Sequence, residues 1–128
     1  MTETSNLGNP PDLQSPQGHA IGFVDTQTEC DAVIQDLHAA GFANSVINVF
    51  AGNDGTVKLE QMMDGFGWGE TAENLLKQGK IELSRGHLAV MIELRDRDQA
   101  MLVATVSTKH GGHSFNYFGG LTDERLTA

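Results

Sequence analysis

The chain repeats itself, and the repeat constrains its fold more than any other feature. Thr26 and Glu29 have the S/T-x-x-E spacing of a capping box, in which two side chains satisfy amides left unpaired at a helix start. Cys30, Val33, Ile34 and Leu37 follow at i, i+3, i+4 and i+7, a single apolar stripe of period 3.6. Gly41 stands where a left-handed residue ends such a helix, and Phe42 is placed to fold back on the last turn. At an offset of 70 residues, Asp96 and Gln99 take the cap positions, Ala100, Val103, Ala104 and Ser107 continue the stripe, and Gly111 ends it. Residues 47–52 (INVFAG) are echoed at an offset of 68 by residues 115–120 (FNYFGG). The two-residue difference falls in the helix-to-strand loop, where length varies freely. An apolar strand precedes each cap, at 20–24 and 88–94, and residues 45–50 form the strand after the first helix.

Two successive strand–helix–strand units with right-handed crossovers make a four-stranded antiparallel sheet carrying both helices on one face. The expectation is an α+β, ferredoxin-like βαββαβ sandwich with an inserted helical segment between its halves. The units span 19–50 and 87–120, the insert 51–86 and a closing C-terminal turn 121–128. Within the insert, residues 52–55 (GNDG) read as a turn, 57–63 as a helical turn, 65–69 as a glycine-rich break, and 70–77 as a short helix ending at Gly79. All three prolines lie in residues 1–17, which have too few large apolar side chains to offset the entropy of ordering. That stretch reads as a disordered tail, and the domain begins near Gly18.

Charge and composition exclude several classes. Of the 128 residues, 17 are acidic and 8 basic, and no basic residue precedes Lys58. Nothing in such a chain neutralises many phosphates at once, which argues against nucleic acid. No apolar run approaches the ~20 residues of a membrane helix, and neither a secretory nor a mitochondrial leader pattern is present. A single cysteine allows no disulfide within the chain. The expected setting is the reducing cytoplasm, with Cys30 a small apolar residue of the core.

The strand–helix–Gly–Phe start, the Gly-His-Leu-Ala-Val-Met strand at 86–91 and the Lys-His-Gly-Gly-His-Ser-Phe-Asn-Tyr-Phe-Gly ending at 109–119 resemble the small general-stress (heat-induced stress) protein domain. The similarity covers about residues 19–125, with a departure at 62–69, where such relatives carry a glycine-rich stretch. It implies a ferredoxin-like fold and an association with stress responses, and it brings no catalytic residues.

On the third strand Leu88, Val90, Ile92 and Leu94 face the helices, leaving His87, Ala89, Met91 and Glu93 on the opposite face. On the last strand His113, Phe115 and Tyr117 share one face, and Ser114, Asn116 and Phe118 the other. An uncovered face bearing Met91 and an aromatic ring must meet something. The expected cover is a second copy of the chain, packed sheet to sheet or through the 51–86 insert, or that insert folded over the sheet. A small molecule or protein partner is the further expectation. Candidate ligand or interface residues are His87, Met91, Glu93, His113, Phe115, Tyr117 and, in the glycine-rich loop, Trp68 with Phe66. The leading expectation is a non-catalytic domain without a cofactor.

Two alternatives compete with it. A dimeric sandwich enzyme would use His87, His113 and Tyr117, with Asn116 or Asn48, in a pocket on the open face. A metal site would start from His110 and His113, the two ends of an HxxH. Gly111 and Gly112 end the helix between them, so that spacing loses its meaning, and His87, reached through the sheet, is the remaining third imidazole. His110 has a simpler role beside the carbonyl end of the helix macrodipole. No metal ligand is assigned on this reading.

Overall fold

A computed structural model describes residues 18–64, 70–118 and 123–127. The expected tail, the glycine-rich loop with Phe66 and Trp68, and residues 119–122 lie outside the described residues. The elements run β1 (His19–Val24), α1 (Gln27–Ala39), a single 3₁₀ turn (Asn44–Val46), β2 (Ile47–Phe50), α2 (Gly52–Asp64), α3 (Glu70–Ser84), β3 (Leu88–Glu93), α4 (Arg97–Lys109), β4 (His113–Phe118) and β5 (Asp123–Arg125). The strands form one sheet in the order β2-β3-β1-β4-β5 with every pairing antiparallel. This α+β arrangement is consistent with a ferredoxin-like fold, extended by one edge strand.

Both halves of the repeat fold alike. The Thr26 hydroxyl accepts from Glu29 N at 3.1 Å, and the Asp96 carboxylate from Gln99 N at 3.0 Å. Glu29 and Gln99 reach back in turn to the amides of Asp25 and Arg95. Gly41 and Gly111 adopt φ +103° and +82°, the left-handed stops expected of them. Phe42 N bonds Leu37 O, which folds the phenyl ring into the core. The stripes of α1 and α4 cover one face of the sheet, where Val33, Leu37, Ala100 and Val103 pack on Ala20, Val24, Leu88, Val90, Ile92 and Phe115. Cys30 is buried there, and burial, with Asp31 beside it, pushes its thiol pKa up. A protonated, inaccessible thiol is chemically inert at neutral pH.

The insert departs from expectation. Residues 52–55 are the first turn of α2, not a separate turn, because Gly55 lies under Phe50: a Cβ there would sit 2.8 Å from the Phe50 carbonyl carbon. Gly79 does not end α3 but sits inside it, where a side chain would strike Leu59 of α2. The stop is Gly86, at φ +85°. Closely approaching, α2 and α3 lie as a pair over the second face of the sheet, burying Leu59, Met62, Leu75 and Leu83 against Ile21, Phe23, Ala89, Met91 and Phe118. The face expected to be open is therefore covered by the chain's own insert, one of the covers anticipated, and no second copy is required to bury it. Residues 123–125 are a strand paired with β4, where a closing turn was expected. No helix among the described residues is long and apolar enough to cross a membrane.

Candidate functional site

At one end of the three central strands the backbone brings four ionisable side chains together. Val24 pairs with Leu88 across β1 and β3, so the next pair outward places Asp25 opposite His87. On the other side of β1, Phe23 pairs with His113, the first residue of β4. The fourth member, Glu82, descends from the last turn of α3, held there because Leu83 and Leu75 anchor that helix on the sheet.

His113 points into this cluster because β4 breaks the two-residue alternation. Ser114 has φ +57°, rare for a residue with a side chain, and the pairing with β1 shifts register between Ile21 and Phe23. Consequently His113 and Ser114 both turn toward α3, whereas Phe115 and Tyr117 pack with the α1 and α4 core. The expectation that His113, Phe115 and Tyr117 share a face is corrected by this irregularity. Gly22 sits opposite it, and the Phe115 ring lies against its α-carbon.

Glu82 is the hub. Its carboxylate accepts from His87 Nδ1 at 2.7 Å and from His113 Nε2 at 3.0 Å, with Gln78 Nε2 a long 3.4 Å away. Gln78 also donates to the hydroxyl of Ser114 at 2.7 Å, so the strained residue is tied to the helix that carries Glu82. Asp25 Oδ1 lies 3.4 Å from His87 Nδ1 and 3.8 Å from His113 Nδ1. The imidazole rings meet edge to face with centroids 6.4 Å apart, and Phe23 backs His113 at 6.2 Å. Burial alone would raise the Glu82 pKa, but the hydrogen bonds from His87 and His113, the charge of His113 and the Gln78 amide more than offset it. The carboxyl is thus held below its ordinary value and is anionic at neutral pH. Exposure is graded, from 13% for the Glu82 side chain to 53% for Asp25, so the cluster opens to solvent on the Asp25 side.

One ligand atom from each of Asp25, Glu82, His87 and His113 lies within 4.8 Å of every other, a set that can hold a metal ion. The donors are two imidazole nitrogens and two carboxylate oxygens, which suit zinc and neighbouring transition ions better than calcium or magnesium.

The other expected site residues do not converge here. Met91 is fully buried under α2 and α3, and Glu93 is exposed at the far end of β3. Phe115 is fully buried in the first core, and Tyr117 packs against that core on the side away from His113. Trp68 lies outside the described residues. A pocket built from His87, His113 and Tyr117 together is therefore not formed. His110 and His113 also separate: His110 Nε2 bonds Asp36 Oδ2 of α1 at 2.7 Å, joining the two helices of the first layer. Sequence reasoning missed Asp25 and Glu82. The first was in reach, because pairing the two apolar strands sets Asp25 opposite His87, whereas Glu82 required knowing where the insert docks.

The His110 bond, with Lys109 nearby, holds the Asp36 carboxyl below its ordinary 3.8. A carboxylate depressed in the fold stabilises it above the unfolded value and loses that contribution as pH falls through the folded one. Asp36→Asn should therefore flatten the decline in stability below pH 3.8 while leaving neutral-pH spectra unchanged, as read by denaturant melts across an acid series.

Compared with known proteins, no family model matches the chain, no curated protein matches it, and no solved structure matches it.

Proposed function

We propose that the chain is a ferredoxin-like, non-catalytic module that binds one divalent transition-metal ion, zinc foremost, between Asp25, Glu82, His87 and His113. The observation that supports this reading is the convergence of two imidazoles and two carboxylates from four separate elements within 4.8 Å. Ligand atoms around tetrahedral zinc stand about 3.3 Å apart, from metal–ligand bonds near 2.0 Å. The separations here, 2.7 Å for His87–Glu82 and 3.4 Å for His87–Asp25, bracket that value. All separations lie within 4.8 Å, so closing the shell asks for side-chain shifts of about 1.5 Å at most.

Charge agrees with geometry. Metal-bound imidazoles are neutral, so the filled site sets two carboxylate charges against the two of a divalent ion, in a half-buried setting where unpaired charge is expensive. To bind the ion, each ring nitrogen that now faces Glu82 must give up its proton to the other ring nitrogen or, from a protonated ring, to solvent, so protons compete with the ion and uptake weakens in acid. Outer groups are also in place: Gln78, fixed by Ser114, addresses Oε2 of Glu82 at a long 3.4 Å, in the way outer-shell donors orient a metal-bound carboxylate. Calorimetric titration of chelator-treated protein with Zn²⁺ tests the proposal, with one ion bound per chain as the expected result. Calcium and magnesium should give no comparable heat. Binding of zinc no tighter than the millimolar range would count against it.

A further inference from the structure

Three of the four proposed ligands belong to the sheet and one does not. Asp25, His87 and His113 lie at the ends of β1, β3 and β4, whereas Glu82 is carried by α3, half of the α2–α3 pair that covers the second face. Resting on the metal reading above, we infer that the ion is a latch: its occupancy fixes the α2–α3 insert on the sheet and controls how often that layer lifts.

The insert is built to be a separable layer. It packs on the sheet through its own apolar cluster, distinct from the one beneath α1 and α4. Its helices are fastened to each other by the Gly79–Leu59 approach and the Lys80–Glu60 ion pair at 2.8 Å. Among the described residues, the polar ties from α3 toward the strands gather at one end: Glu82 with His113 and, through side chain and backbone, with His87, and Gln78 with Ser114. The outer side of the pair exposes Val57 and Ile81. Lifting α3 takes Glu82 out of the cluster, so the ion binds the docked state with four protein ligands and the lifted state with three. A ligand that favours one state shifts the equilibrium by its differential affinity. With the ion saturating both states, opening becomes rarer by the ratio of its two affinities, about 100-fold where the loss of Glu82 weakens binding 100-fold.

Amide hydrogen exchange measured with and without saturating Zn²⁺ tests the latch on the full chain. The expected result is slowing of α3 exchange by up to about 100-fold, exceeding any slowing in β1 and β3. Two variants separate the latch from general stabilisation. Glu82→Gln keeps three sheet ligands, so zinc should still bind, more weakly, without selectively protecting α3. Asp25→Asn also keeps three ligands, Glu82 among them, and at saturating zinc should retain the α3 protection. Zinc bound by the wild type with α3 and the central strands protected equally would overturn the latch while leaving the metal site standing. An absence of zinc binding in the wild type would remove the site itself and the latch with it.

Discussion

His113→Ala and His87→Ala should each weaken zinc binding by on the order of 100-fold or more, since loss of outer-shell partners alone costs 10–100-fold. Each removes one of only two nitrogen donors and leaves a set of carboxylates with one imidazole, a weak and unselective combination. The two variants should not differ much from each other, because each removes one of the two imidazoles that face both carboxylates, His87 through Nδ1 alone and His113 through Nε2 toward Glu82 and Nδ1 toward Asp25. Neither should unfold the protein. His87 and His113 are about a quarter exposed, and the apolar clusters on both faces lie behind them. Tyr117→Phe serves as the control, since Tyr117 packs on the opposite face, and should leave zinc affinity unchanged. Equal affinity in His113→Ala and wild type would show that zinc is held elsewhere.

The largest effect on stability should come from a single methyl group. Gly22 lies in the middle of β1, the central strand, where a Cβ would stand 2.1 Å from both Cγ and Cδ1 of Phe115. That distance is far inside van der Waals contact. Phe115 has no room to yield, being fully buried among Ala20, Val24, Val33 and Val103. Gly22→Ala should therefore cost about 3 kcal/mol or more, the upper end of overpacking effects. Shrinking the ring should relieve it: in Gly22→Ala/Phe115→Leu the second substitution should cost less than it does alone, a coupling that a double-mutant cycle reads directly. The damage should reach the metal site as well, because Phe115 follows Ser114, whose strained conformation aims His113. A Gly22→Ala protein within ~0.5 kcal/mol of wild type in a denaturant melt would mean that the strand and ring do not meet as described.

What the sequence disclosed and what it withheld divide along local and non-local physics. Caps, stripes and stops are written in residues three or four apart, so Thr26–Glu29, Asp96–Gln99, Gly41 and Gly111 were legible, and with them α1, α4 and the doubled unit. The faces of β3 were legible too, since Leu88, Val90 and Ile92 meet the α1–α4 core and Ala89 and Met91 the other. The insert misled because its glycines answer to neighbours far along the chain. Gly79 reads as a helix stop but is an approach point for Leu59, and Gly55 reads as a turn but fits beneath Phe50. Phe115 and Tyr117 were grouped with His113 by a period-2 rule that Ser114 breaks, and nothing in a serine announces φ +57°. The site was half visible for the same reason: two of its histidines were singled out, while the Glu82 that joins them belongs to the insert.

Zinc-edge X-ray absorption of the protein loaded with one equivalent of Zn²⁺ tests the central claim most directly. The four-ligand site predicts a tetrahedral nitrogen/oxygen shell near 2.0–2.1 Å with the outer scattering of two imidazole rings. That pattern should fall to one ring in His87→Ala or His113→Ala under saturating zinc. A shell of oxygens alone, or two rings that persist when either histidine is removed, would contradict it.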